Sequence, residues 1–140
     1  MPNLLQGGRG RPLHPMLVHF PVALYPTSLV FDVLSHLSED GNPFVVGAFS
    51  LIVIALVVSA LAVAAGFADF LLIGNGTRTW RIAVLHMSLQ LVTAGLFLAN
   101  AVLRGRDLDV TATPVGPIIL SLIGLLTLTL GAALGGELVY

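Results

Sequence analysis

The sequence predicts an all-α fold, an up-down-up-down bundle of four transmembrane helices. Three observations carry that prediction. First, the 140 residues are 56% hydrophobic and 9% charged, with a mean hydropathy of +0.99. A soluble domain carries about 25% charged residues, so this chain cannot cover a water-facing surface and takes the bilayer as its solvent. Second, apolar runs of the roughly 20 residues that a spanning helix needs recur four times. Third, the connections are short, about 5 to 12 residues. Short connections make successive helices antiparallel neighbours, and an open sheet is forbidden in lipid.

The elements follow in order. A single integral membrane domain over residues 1–140 is expected, with helices at about 15–37, 44–73, 80–103 and 115–137. Asn42-Pro43 and Thr113-Pro114 each place a cap residue before a first-turn proline. Gly74-Asn75-Gly76 is a stop and turn, after which Thr77 or Thr79 caps the third helix. The second run is longer than one span requires, so it is tilted or protrudes. Residues 1–13 lack the apolar core of a cleavable signal peptide, which makes the first helix an uncleaved signal-anchor. No connection is long enough to fold alone, so no catalytic domain is expected outside the membrane. No internal repeat or low-complexity stretch is visible.

The formal charge of −1 argues against nucleic acid, which asks for a basic face. The absence of cysteine removes disulfides, iron–sulfur clusters, thiolate metal sites and haem attached through C-x-x-C-H. The end holding the N-terminus, the second connection and the C-terminus carries Arg9, Arg11, Arg78 and Arg81. Arg104 and Arg106 stand at the other end beside Glu39, Asp40, Asp107 and Asp109. The positive-inside rule then puts both termini in the cytoplasm, and the expected location is a cytoplasmic membrane of bacterial type.

Each helix owns a small or polar stripe at helical spacing. The third has His86, Gln90, Thr93, Phe97 and Asn100. The second has Ser59, Ala62, Gly66 and Asp69, and the fourth Ser121, Gly124, Gly131 and Gly135. The first has His19, Ala23, Pro26 and Thr27. Small residues let membrane helices approach and polar ones bond across the seam, which accounts for most of these positions. Pro21 and Pro26 each remove a backbone donor and free a carbonyl one turn earlier, those of Leu17 and Val22. That kink opens space beside His19.

The histidines ask for more. His14, His19, Asp69, His86 and Glu137 all fall near one end of the implied bundle, and an ionisable group inside a membrane is a functional-site hypothesis by default. His19 and His86 start from the same end and lie about 8–10 Å below it at 1.5 Å per residue. Two imidazoles level with each other across a bundle suit axial ligation of haem b, with His14 beside them and Arg9, Arg11, Arg78 and Arg81 near the propionates. His14, Asp69 and Glu137 would orient an imidazole or relay a proton. The competing reading is a Zn, Fe or Mn ion held by His14, His19, His86, Asp69 and Glu137. A third is a non-catalytic accessory subunit of a larger membrane complex, with the polar cluster serving helix packing. Electron transport, with a quinone or a redox protein docking at the same end, follows from the first. Stripes of small residues also permit a homo-oligomer.

Enzymatic activity is left unassigned. No nucleophile arrangement, G-x-S-x-G or phosphate-binding loop is present. Gly7-Gly8-Arg9-Gly10 is a flexible leader, and His36, beside Glu39 and Asp40, is a solvated end residue. Trp80 and Tyr140 suit the aromatic belt.

The opening His14-Pro15-Met16-Leu17-Val18-His19-Phe20-Pro21, Asp32, Gly66 with Asp69, Arg81 with His86, and the closing Gly135-Gly136-Glu137-Leu138-Val139-Tyr140 resemble the DUF2231 family of small membrane proteins. The resemblance covers almost the whole chain. It implies a four-helix membrane domain, sometimes joined to redox modules such as Rieske-type domains, and a layout similar to cytochrome b-type bundles. It implies no activity. Gln90 stands where the family is expected to favour Asn, which keeps an amide, and relatives are expected to run on past Tyr140.

Overall fold

The computed structural model describes residues 13–139. They form four helices and, among the described residues, no strand: α1 Leu13–Leu37, α2 Asn42–Phe70, α3 Arg78–Arg104 and α4 Val115–Val139. Each is long and apolar enough to cross a membrane. At 1.5 Å per residue even the 25 residues of α1 reach about 37 Å, beyond the roughly 30 Å of a hydrocarbon core. α1 packs along α2 and α3 along α4, so the bundle is two antiparallel hairpins set side by side.

Local chemistry explains the helix ends, with two differences from expectation. Thr77 caps α3, accepting the Trp80 N–H at 3.0 Å. Asn42, expected as a cap, is instead the first residue of α2. Its amide donates to the carbonyls of Leu108 at 2.6 Å and Val110 at 3.2 Å, tying α2 to the third connection. Thr113 is no cap either, because its hydroxyl is drawn into the buried polar network described below. α2 stops at Phe70, before the expected residue 73, and Leu71–Ile73 form a turn. Neither Pro21 nor Pro26 breaks α1.

The inward faces follow a coiled-coil spacing of alternate threes and fours. In α3 the expected stripe is correct: Thr93, Phe97 and Asn100 are buried, and the same stripe continues one turn further to Arg104, which is also buried. In α1 the expected face is wrong. His19, Ala23, Pro26 and Thr27 are exposed, whereas Pro21, Tyr25, Ser28, Asp32 and Ser35 are buried. Small residues occur on the outward side of α1, and the inward face is decided by the large Tyr25 ring. That ring stacks on Phe97 at 3.7 Å between centroids, tilted 12°. The pair fills the middle of the bundle with Ile52, Ala55 and Leu128. Gly124 is small because a Cβ there would lie 2.7 Å from the Phe97 ring.

An internal repeat, invisible as residue identity, emerges from these positions. His14 and His86, Tyr25 and Phe97, and Asp32 and Arg104 face one another as pairs, and each pair is separated by 72 positions. Ala62 and Gly131, and Gly66 and Gly135, are likewise separated by 69. The two hairpins therefore follow one plan. Both run from the same end, so the repeat is parallel, as in membrane folds with a pseudo-two-fold along the bilayer normal. One end of the shared axis carries two histidines and the other a carboxylate and a guanidinium. They are termed the histidine end and the ion-pair end.

Candidate functional site

At the histidine end each hairpin builds the same cradle. The Nδ1 of His14 donates to the Ala62 carbonyl at 2.7 Å, and the Nδ1 of His86 donates to the Gly131 carbonyl at 2.7 Å. A carbonyl only accepts, so each Nδ1 carries a proton and donates it, and Nε2 is the ring nitrogen left to face a ligand. One turn beyond each carbonyl stands a glycine. A Cβ at Gly66 would lie 2.7 Å from the His14 Nδ1, and one at Gly135 would lie 3.0 Å from the His86 Cε1. The two glycines thus let the rings lie against the backbone of α2 and α4. The imidazole centroids are 6.1 Å apart with planes at 89°. Neither Nε2 has a hydrogen-bond partner among the described residues.

The rings look onto two spaces. A cleft of about 1010 Å³ between the hairpins is lined from all four helices, including by His14, His19, Asp69, His86 and Gln90. A chamber of about 50 Å³ lies towards the middle of the bundle, bounded by both histidines, Pro21, Tyr25, Ser59 and Gln90. The chamber accommodates water, since one probe-sized water needs about 10–15 Å³. The expected space beside His19 is the larger cleft, while Pro21 borders the chamber.

The residues named from sequence are brought together only in part. His14 and His86 meet, whereas the expected partner of His86 was His19. His19 is exposed at the cleft rim, because five residues turn a helix about 140° and His14 already faces inward as part of α1. Asp69 is half-buried on the cleft wall. Glu137 is exposed and pairs loosely with exposed Arg78 at 3.5 Å, away from the imidazoles. Among the described residues no group of three or more His, Cys, Asp or Glu is placed to hold a metal ion. The mixed set of His14, His19, His86, Asp69 and Glu137 is thus not assembled. His36 is exposed as expected, with its Nε2 at 2.9 Å from the Thr113 carbonyl.

Because the atoms nearest a Cβ at Gly66 or Gly135 belong to the rings, Gly66→Ala or Gly135→Ala is expected to leave the fold intact and displace one imidazole. Loss of such orienting contacts costs about 10–100-fold in ligand affinity. The imidazole nitrogen chemical shifts of the purified variants check this, and unchanged shifts in both would show that the cradles do not position the rings.

The ionisable residues do not all gather at the histidine end. Asp32 and Arg104 form the most buried charge pair of the described chain, their side chains 0% and 1% exposed. Arg104 donates from Nη1 to Asp32 Oδ1 at 2.6 Å and from Nη2 to Oδ2 at 2.7 Å. Its Nε donates to Asn100 Oδ1 at 2.7 Å. Thr113 adds a 2.9 Å donor to Asp32 Oδ1, and its backbone N–H donates to Ser35 Oγ at 3.0 Å. Asn100 donates onward to Ser121 Oγ and the Pro117 carbonyl. No buried side-chain polar atom among the described residues lacks a partner. Sequence reasoning counted Arg104 as a loop charge and missed this network. The signal was present: Arg104 continues the α3 stripe four residues after Asn100, and Asp32 interrupts an apolar run.

The family model described as "Predicted membrane protein (DUF2231)" matches residues 10–140. No curated protein and no solved structure matches the chain.

Proposed function

Because the chain belongs to the DUF2231 family of predicted membrane proteins, we propose for this membrane bundle the function its geometry supports best: binding of a b-type haem by His14 and His86, for electron transfer in the bilayer. The observation that carries this reading is the duplicated cradle, two imidazoles on opposite hairpins, each held by Nδ1 and each offering Nε2. The imidazole centroids are 6.1 Å apart, close enough for one ligand to be reached from both hairpins. A cleft of about 1010 Å³ lies at the upper end of ordinary cofactor sites. The donor count favours haem over a bare ion. Two imidazoles complete the axial set of a haem iron, whereas a structural zinc site takes four protein ligands.

A haem held by both His14 and His86 would supply one-electron chemistry and leave no position for a substrate, which supports electron carriage over substrate chemistry. Arg81 and Arg78, exposed at the same end, suit pairing with propionates. A lipid-soluble quinone or a redox protein meeting the cleft would exchange the electron. Burial of Arg104 also sharpens the orientation argument, since among the described residues Arg106 then stands alone at the ion-pair end against Arg78 and Arg81 at the other, while Arg9 and Arg11, which precede α1 in sequence, lie outside the described residues. That asymmetry supports a cytoplasmic histidine end and a place in a bacterial cytoplasmic membrane.

The test is the visible spectrum of protein purified from haem-sufficient cells, oxidised and then reduced with dithionite, with iron content. A Soret peak, a sharp reduced α band and about one haem per chain are expected for two axial imidazoles. A flat spectrum overturns the proposal.

A further inference from the structure

The hydrogen bonds of the bundle divide by end. Among the described residues, those that cross from one hairpin to the other lie at the ion-pair end: Asp32 to Arg104 and Thr113, Ser35 and His36 to Thr113, and Asn42 to the Leu108 and Val110 carbonyls. At the histidine end every bond stays within its own hairpin. His14 bonds to α2, His86 bonds to α4, and the Arg78–Glu137 pair joins α3 to α4. Halfway along, Tyr25 bonds to Ser59 within the first hairpin and Thr93 to Thr127 within the second. There the hairpins touch through apolar contacts, above all the Tyr25–Phe97 stack.

Directional bonds resist sliding and splaying, whereas dispersion contacts between smooth helix faces are individually weak. One end of the molecule is therefore clamped and the other is held by packing around a cleft of about 1010 Å³. The covalent link at the open end, Leu71–Thr77, is flanked by an apolar contact between Phe70 and Trp80, 6.2 Å between ring centroids, and not by a directional bond between the hairpins. It carries Gly74 and Gly76, the latter at φ +77°, and it lies outside both helices it joins.

We propose that the protein works as a jaw, two rigid hairpins hinged at the Asp32–Arg104 network, whose mouth closes on the ligand that bridges His14 and His86. This rests on the histidine-end cleft being the binding site. A ligand engaging both Nε2 atoms bonds to both hairpins at once and supplies the cross-hairpin link that this end lacks. It binds the closed state better than the open one, and that difference alone shifts the population. Entry then proceeds sideways from the bilayer into an open mouth, which suits a flat, lipid-soluble ring.

The chain has no cysteine, so introduced pairs report cleanly. Met16→Cys with Leu85→Cys marks the mouth, and Val33→Cys with Val102→Cys marks the clamp. All four positions are exposed on the bundle surface. Spin-label distance distributions are measured in lipid nanodiscs for cofactor-free protein and after adding haem. In cofactor-free protein the mouth distribution is expected to be about twofold broader than that of the clamp, narrowing to the clamp's width with haem. Equal widths at the two ends of cofactor-free protein overturn the jaw. A chain that takes up no haem yet shows a broad mouth and a narrow clamp overturns the haem assignment and supports the jaw. A chain that takes up haem with both ends equally narrow overturns the jaw and leaves the haem assignment standing.

Discussion

Asp32→Ala or Arg104→Ala alone is expected to destabilise the protein by about 3–5 kcal/mol, the range for removing one partner of a buried ion pair. The cost comes from the survivor. Arg104 without Asp32 keeps Asn100 and loses both carboxylate oxygens, leaving a cation in a medium that neither water nor counter-charge reaches. Asp32 without Arg104 keeps only the Thr113 hydroxyl. Replacing both, as Asp32→Leu with Arg104→Met, removes the uncompensated charge and is expected to be milder than either single change. Such swaps of a buried pair for apolar residues are often neutral or better. Here Ser121 keeps Asn100 and Thr113 keeps Ser35 as partners, whereas Asn100 Oδ1 loses its Arg104 donor, so a residual cost of roughly 1–3 kcal/mol remains. Denaturant titration in bicelles, followed by circular dichroism, measures the cycle. Additive effects of the two single changes would show that the pair does not act as a unit. Where a single alanine variant fails to fold, the milder Asp32→Asn keeps the cycle measurable.

That network also shows where sequence reasoning reached its limit. Helix number, direction and approximate ends were legible because hydrophobic length and short connections leave few alternatives in lipid. The α3 face was legible because polar residues mark it almost continuously from His86 to Asn100. The α1 face was not. Its inward positions mix Pro21, Tyr25, Ser28 and Asp32, and the outward ones include residues as small and polar as Ala23 and Thr27, so residue size pointed the wrong way. Thr27 satisfies its hydroxyl locally by donating to the Ala23 carbonyl at 2.8 Å, which is how a polar side chain sits on a lipid-facing surface. Arg104 was misplaced because a charge at a helix end ordinarily belongs to water, and only its register with Asn100 places it inside.

The repeat explains why the histidine pair was half read. The counterpart of His86 under the 72-residue offset is His14, while His19 corresponds to Leu91, which is exposed. Depth along the helix, the criterion that singled out His19, is a weaker guide than rotation around it. Five residues move a side chain only about 7.5 Å along the axis but more than a third of a turn around it. The tyrosine and phenylalanine at the middle pair, and the acid and base at the far pair, show that the two halves differ in residues while matching in position. Identity comparison therefore finds no repeat where geometry does.

The same rotation argument separates the three histidines in function. His14→Ala and His86→Ala are each expected to remove most of the bound haem from purified protein, because each deletes one of the two available Nε2 ligands. His19→Ala, on an exposed face of α1, is expected to retain haem at close to one per chain with an unchanged reduced spectrum. His14→Met and His86→Met add a readout that packing alone would not move. A thioether in place of one imidazole raises the haem potential, so any haem retained should titrate at a more positive midpoint and show an altered α band. Secondary structure, followed by circular dichroism, is expected to survive in all five variants, since each ring makes a single hydrogen bond to a carbonyl that already serves its own helix. Haem content that falls with His19→Ala and not with His14→Ala would return the ligand role to the outer face of α1 and sink the cradle. Haem retained at wild-type level and potential in both His14 and His86 variants would remove the pair from the site altogether, leaving the two cradles as a means of packing α1 on α2 and α3 on α4.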